Sequence, residues 1–222
     1  MRKSIRRRRA IAAFGVGCVA AGAVIIGVTA VSPAGDERAG DVASAAQSGA
    51  SVVARLERTS ADVSAEVRAQ LDYVLANFSA HSSERYGYIP EYDCANFASQ
   101  SLIARGWSPD EDWWFASDAL ESSSSWRSST ALREYLLGRG EVRELSDADR
   151  GEVRLGDIVQ FDWDNSGDRD HTGIVTRIER LSDGSTRVFY AGHTDDTDFR
   201  SVDSAITELH PGASAYYLAI DH

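Results

Sequence analysis

The apolar residues of this chain repeat with a helical period in its first half and with a strand period in its second half. Between residues 63 and 78 they recur at steps of three and four, as they do in an amphipathic helix. Two further segments with helical spacing follow, 97–102 and 130–137. From residue 153 the apolar residues alternate, and four segments are predicted to be strands: 158–161, 172–178, 187–192 and 216–220. Helices followed by an antiparallel sheet predict an α+β domain.

The N-terminal residues 1–34 have the composition of an export signal. Arginines at positions 6–9 precede an almost unbroken apolar run, residues 10–31, and small residues at 32–34 stand at the spacing of a cleavage site. The run is also close to the ~20 residues that span a bilayer, so a cleaved signal peptide and an uncleaved signal anchor both stay open. In either case we expect an extracytoplasmic protein, which is secreted or is anchored in the membrane through residues 10–31.

Residues 35–62 are rich in alanine, serine, glycine and charge, and they are predicted to be a flexible linker. Residues 63–222 then form the folded domain, which we expect to be a monomer. The chain has a formal net charge of −11, and residues 35–222 carry 17 basic against 34 acidic residues. Such a surface repels phosphate backbones, which excludes nucleic acid as a partner.

Cys94 is the candidate nucleophile, because it is the only cysteine outside the N-terminal apolar run. Asp93 is predicted to cap the helix that follows, which would place Cys94 in its first turn. There the helix dipole favours an anion, so the pKa of the thiol is expected to fall below its free value of ~8.5. The alternative is that Cys94 is a small buried apolar residue.

Two histidines in the predicted sheet supply a candidate base and a candidate orienting group. His171 opens one strand and His193 ends the next one. The order of a cysteine on a helix, a histidine on a strand and a polar residue on the adjacent strand fits thiol acyl transfer. A single histidine at a strand start is more often an ordinary surface residue, so the pattern alone leaves both interpretations open.

Several sequence blocks resemble those of a known family. The segment Asp93-Cys94-Ala95-Asn96-Phe97-Ala98-Ser99-Gln100 is similar to the D-C-x-N-F-x-S-Q signature of the putative amidase domain family. Further blocks in matching order are Gly156-Asp157-Ile158, Asp162-Trp163, Asp170-His171-Thr172-Gly173-Ile174-Val175 and Gly192-His193-Thr194. Ala95 departs from the family's usual Thr or Ser.

The resemblance implies a papain-like (NlpC-type) fold, with helices packed on an antiparallel sheet and the nucleophile at a helix N-terminus. It implies Cys94 as nucleophile, His171 as base and His193 as the group that orients the imidazole. We therefore expect a secreted cysteine hydrolase that cleaves an amide bond, in peptidoglycan stem peptide or a related cell-wall amide. A transglutaminase-like acyl transferase and a non-catalytic wall-binding module are the alternatives.

Other site residues follow from the same hypothesis. The oxyanion hole would combine the Cys94 backbone N–H with a second donor, for which Tyr92 and Asn96 are the candidates. No cofactor and no metal are expected. The segment from Asp162 to Gly167 copies the first half of a calcium loop, but Gly173 stands where the bidentate Glu would be, which favours a structural turn.

Strand register decides whether the two histidines can meet. A two-residue turn at Asp183-Gly184 would put His171 and His193 on opposite faces of the sheet. We therefore predict an odd-numbered loop or a bulge between Ile178 and Tyr190, which would bring His193 to the His171 ring. Asp195 is the second choice for the third residue. Activity through a thiolate–imidazolium pair would rise and fall with two apparent pKa values.

Overall fold

The computed structural model describes residues 63–79, 87–89, 93–116, 121–193 and 197–221. These residues lie within one compact unit, residues 46–222. The expected signal segment and the linker, residues 1–62, lie outside the described residues. Within the described ranges no helix is both long enough and apolar enough to cross a membrane.

Four α-helices form one layer of the domain. They are α1 (Ala65–Asn77), α2 (Asp93–Ala104), the short α3 (Ser124–Arg127) and α4 (Ser129–Gly138). Ser64 caps α1 by accepting a hydrogen bond from the backbone N–H of Val67. Gly106, with φ of +102°, follows the end of α2 and allows the backbone to leave the helix. The three helices predicted from apolar spacing are confirmed.

The second layer is a six-stranded antiparallel sheet in the order β1-β6-β2-β3-β4-β5. Its strands are β1 (Val142–Ser146), β2 (Ile158–Asp162), β3 (His171–Arg180), β4 (Thr186–Gly192), β5 (Thr197–Ser201) and β6 (Ser214–Ile220). The four predicted strands are confirmed, and they form the centre of the sheet. The edge strands β1 and β5 were not predicted. The domain is therefore α+β with helices and an antiparallel sheet.

Both faces of the sheet are buried. Ile158, Ile174 and Leu218 pack with the helices on one face, which we call the helix face. Val159, Val175 and Tyr217 point to the opposite face, the far face. A 3₁₀ helix (Asp147–Glu152), the short helix α5 (Val202–Ser204) and a π-helical turn (Ala205–Leu209) lie elsewhere in the chain, and Val202 and Ala205 pack on the far face. Because successive strand residues alternate between faces, each residue's position in its strand fixes which layer it faces.

The register of β3 against β4 differs from the prediction. Five residues, 181–185, separate the last paired residues of the two strands, so the loop is odd-numbered as expected. A bulge also interrupts the ladder between Val175 and Arg177, outside the predicted interval. Each irregularity alone would switch the face on which a residue lies, and together they cancel. Ile174 faces Ala191, so His193 continues opposite Thr172, and His171 lies on the other face. The predicted meeting of His171 and His193 is therefore wrong.

Candidate active site

Cys94 lies in the first turn of α2, as predicted, with 6% of its surface exposed. Its sulfur is 3.4 Å from the Ser129 hydroxyl, at the start of α4. The backbone N–H groups of Ala95 and Thr172 also act on the sulfur as hydrogen-bond donors. The thiol therefore lies between the N-terminal turn of a helix and the first residues of β3.

The electrostatics of this thiol differ from the expectation. Burial raises the pKa of Cys94 above its ordinary value, and the nearby Asp93 carboxylate raises it further. The Ser129 hydroxyl and the two backbone N–H groups act in the opposite direction without overcoming burial. Removing a thiolate from water costs more free energy than these hydrogen bonds recover. In this buried arrangement, which we call the closed arrangement, the thiol is therefore protonated at neutral pH.

A buried polar network continues from Ser129 into the sheet. The Thr172 hydroxyl donates to Ser129 Oγ over 2.8 Å, and Gln160 Nε2 donates to Thr172 Oγ1 over 3.0 Å. Gln160 Nε2 also donates to the Ser129 carbonyl oxygen over 2.8 Å. Sequence reasoning missed these three residues, although Thr172 lies inside the His171 block. The sequence feature that could have indicated this network is Gln160, the polar residue of the predicted strand 158–161.

His171 lies across the sheet from Cys94. Its ring is near the aromatic rings of Phe161, Trp163 and Tyr190, with centroid distances of 5.9, 5.9 and 6.1 Å. Phe161 and Tyr190 belong to the core of the far face, whereas Thr172 points to the helix face and reaches Ser129. By this alternation the His171 ring points to the far face, whereas the Cys94 sulfur lies on the helix face beside Ser129.

His193 lies on the helix face, where it binds other partners. Its Nδ1 is 2.5 Å from Asp93 Oδ2, and its Nε2 is 2.9 Å from the carbonyl oxygen of Asn77. The ring stacks on Phe97 with centroids 3.9 Å apart. Since a carbonyl oxygen only accepts, Nε2 carries a hydrogen and donates it to Asn77, while Nδ1 contacts the Asp93 side chain. Both ring nitrogens are thus used to join β4, α1 and α2.

Asp93 and Asn96 support this joint. Asp93 Oδ1 accepts hydrogen bonds from the Ile89 backbone N–H and from Asn96 Nδ2, over 2.7 and 2.8 Å. The Asn96 side-chain oxygen accepts from Trp126 Nε1 over 2.7 Å. Asp93 is the first residue of α2, and its carboxylate is used by these groups and His193. The Asn96 amide is occupied in the same way, which makes it a structural group in this arrangement.

Two other predicted residues, Tyr92 and Asp195, lie outside the described residues.

The acidic turn after β2 is the candidate metal site. Asp162, Asp164 and Asp168 each could offer one carboxylate oxygen within 4.8 Å of the others. The two oxygens of Asp162, however, accept hydrogen bonds from the backbone N–H groups of Ser166 and Gly167. The carboxylate therefore stabilises the turn, in agreement with the structural interpretation of this segment.

Comparison with known proteins identifies the family. The family model described as a putative amidase domain matches residues 65–217, which is more than half of the chain. The uncharacterized protein YjcM of Bacillus subtilis (strain 168) is 31% identical over 107 residues, which cover 45% of this chain. The matched region covers 25% of YjcM, so the chain spans about a quarter of that protein's length. No solved structure matches the chain. The match with the family model, which includes the Cys94 helix and all but the last three residues of the sheet core, shows that the chain belongs to the putative amidase domain family.

Proposed function

We propose that this protein hydrolyses an amide bond with the Cys94 thiol as nucleophile, on a papain-like (NlpC-type) scaffold. The observation that carries the proposal is the position of the sulfur in the first turn of α2, 3.4 Å from the Ser129 hydroxyl, where the backbone N–H groups of Ala95 and Thr172 act to lower the pKa of the thiol. The family supports amide hydrolysis as the reaction. A thiolate at this position would attack the carbonyl carbon, and the amine would leave from the resulting tetrahedral intermediate. Water would then hydrolyse the thioester and release the acid.

His171 is the proton acceptor in this proposal. Its imidazole would take the proton of Cys94 and return it to the leaving amine. The His171 ring lies on the far face. The backbone at His171 therefore has to change conformation so that the ring moves to the helix face and reaches the Cys94 sulfur. His171 pairs with Phe161 at the very end of the β2–β3 ladder, where local opening costs least. The catalytic arrangement therefore differs from the closed one described above.

The proposed substrate rests on the family resemblance, and the proposed location rests on the composition of the N-terminal residues. We propose export through residues 1–34 and a cell-wall peptide as the amide that is cleaved. An acidic domain with few basic residues does not repel the cationic groups of such peptides, whereas it does repel nucleic acids.

Incubation of the full chain with peptidoglycan, followed by mass spectrometry for new amines and carboxylates, tests the reaction. We expect cleavage by the wild-type chain and none by Cys94→Ala or His171→Ala. Folding of each variant is checked by circular dichroism. Retention of most activity by Cys94→Ala would exclude the thiol mechanism, and retention by His171→Ala would exclude only the base.

The same incubation separates the alternatives. An acyl transferase would form the Cys94 thioester but pass it to an added amine in preference to water. A wall-binding module would bind peptidoglycan and release nothing. The closed, protonated thiol favours this last alternative over the acyl transferase, because a binding module needs no accessible nucleophile.

A further inference from the structure

The side-chain amide of Gln160 fixes the direction of the hydrogen bonds that lead to Cys94. Gln160 is fully buried, and one end of its amide is 2.8 Å from the Ser129 carbonyl oxygen. A carbonyl oxygen only accepts, so the amide nitrogen must be the end that faces it. The second hydrogen of that nitrogen then points at Thr172 Oγ1, 3.0 Å away.

The two hydroxyl groups continue the same direction. Thr172 Oγ1 accepts from Gln160, and its own single hydrogen is donated to Ser129 Oγ over 2.8 Å. Ser129 Oγ therefore accepts from Thr172, and its hydrogen is left for the Cys94 sulfur at 3.4 Å. Capping of α4 does not compete for this hydroxyl, because Ser128 accepts from the backbone N–H of Ala131.

We propose that Ser129 is a positioning residue that donates a hydrogen bond to the Cys94 sulfur, with Thr172 and Gln160 holding the donor in that direction. The proposal rests on the proposed function of Cys94 as nucleophile. A donor of fixed direction stabilises the thiolate more than the thiol, and it holds the sulfur beside the first residues of β3. The Ser129 hydrogen bond lowers the pKa of Cys94 at a site where burial raises it.

If the hydrogen bond between Ser129 and Cys94 has the opposite direction, removing the Ser129 hydroxyl should change the pKa of the thiol in the opposite sense. If the Cys94 S–H donated to Ser129 Oγ, the hydroxyl would stabilise the thiol instead of the thiolate. Removing the hydroxyl would then favour ionisation. The sign of the change in thiol ionisation therefore distinguishes the two directions, whereas a loss of activity would not.

The test follows thiol ionisation in the full chain carrying Cys18→Ser, so that Cys94 is the only thiol. The rate of iodoacetamide alkylation is measured against pH. We expect Ser129→Ala to raise the midpoint by about one pH unit, which slows alkylation about tenfold below the midpoint. Ser129→Thr restores the hydroxyl and should restore the midpoint. An unchanged or lowered midpoint in Ser129→Ala would overturn the proposal.

Two further variants control for structural effects. Ser101→Ala removes a different buried hydroxyl, which lies in α2 and donates to the Ala98 carbonyl oxygen, and it should leave the midpoint unchanged. Thr172→Val keeps the shape but removes the hydrogen bond that directs Ser129, so it should raise the midpoint by less than Ser129→Ala. If Ser129→Ala does not fold, the Thr172→Val variant tests the proposal instead. An unchanged alkylation midpoint in Thr172→Val would then reject the proposal. Alkylation needs no substrate, so this outcome is independent of whether the chain cleaves an amide.

Discussion

Asp157 carries a buried carboxyl group whose hydrogen bonds and ionisation affect the stability of the sheet. It directly precedes β2, and its two carboxylate oxygens accept hydrogen bonds from the backbone N–H groups of Arg154 and Ile220, over 2.7 and 3.1 Å. The carboxylate thereby joins the start of β2 to the end of β6. Burial raises the pKa of Asp157 to about 6, although the two backbone donors and Arg105 act to lower it.

This shift predicts a pH dependence of folding. In the folded state Asp157 keeps its proton up to about pH 6, whereas in the unfolded state it loses the proton near its ordinary pKa of 3.8. The folded state thus binds more protons in between, and its stability falls as the pH rises from about 4 to 6. Asp157→Asn does not titrate, so the stability of wild type relative to this variant should fall by roughly 2 kcal/mol over that window.

Urea unfolding of both proteins at pH 4, 5 and 6 measures the difference, because the contributions of all other carboxyl groups cancel. A wild-type stability that increased relative to Asp157→Asn as the pH rose would contradict the raised pKa.

At the scale of the elements, the pair of Asp93 and His193 joins three of them. Asp93 begins α2, His193 follows β4, and Asn77, whose carbonyl oxygen accepts from the ring, ends α1. The two side chains are 1% and 4% exposed, so water cannot replace either polar group as the hydrogen-bond partner of the other. The pair therefore fixes the first turn of the helix that carries Cys94.

We predict that His193→Ala and Asp93→Ala each reduce the free energy of unfolding by about 3–5 kcal/mol, since each leaves a buried polar group without its main partner. The double variant should lose less than the sum of the single losses, with a coupling energy above about 1 kcal/mol. Denaturant unfolding of the four proteins measures the cycle. Additive losses would show that the two side chains act independently.

The bulge at residue 176 is the second decisive feature at this scale. It reverses the effect of the odd-numbered loop, so that Thr172 and His193 share the helix face while His171 joins the far face. Gly173 belongs to the same region: a Cβ there would lie 2.5 Å from Tyr190 Cδ2 and 3.0 Å from the Ala191 carbonyl oxygen. The glycine of this block is therefore required by the close approach of the Tyr190 ring.

For the whole molecule, the closed thiol and the proposed catalytic pair predict different pH profiles for the two kinetic constants. The pH dependence of kcat/KM reports the free enzyme, and that of kcat reports the enzyme–substrate complex. Burial raises the pKa of Cys94 in the free protein, so we expect kcat/KM to keep rising above pH ~8.5. If substrate binding brings His171 to Cys94, kcat should rise at lower pH and then fall, with two apparent pKa values.

Steady-state kinetics on a cleaved peptide measures both profiles. Identical profiles would mean that Cys94 has the same environment before and after substrate binds, and the proposed rearrangement of His171 would then be rejected.

The sequence by itself determined the class of the domain and the location of the thiol. Apolar spacing identified the three main helices and the four central strands, because long-range packing merely reinforces a period that each segment already has. The edge strands β1 and β5 were not predicted from the sequence, because each is short and has a weak apolar pattern. The sequence of β1, for example, is Val-Arg-Glu-Leu-Ser. Residue order likewise placed Cys94 in the first turn of a helix.

Only the tertiary structure decided which side chains meet. The face that a strand residue occupies depends on every loop residue and bulge before it, and one extra residue reverses it. Two such irregularities between β3 and β4 put His193 opposite Thr172 and on the other face from His171, and His193 contacts Asp93. The pKa of Cys94 was decided in the same way, because the burial that raises it comes from the contacts of α2 with the sheet and α4, which no local pattern contains.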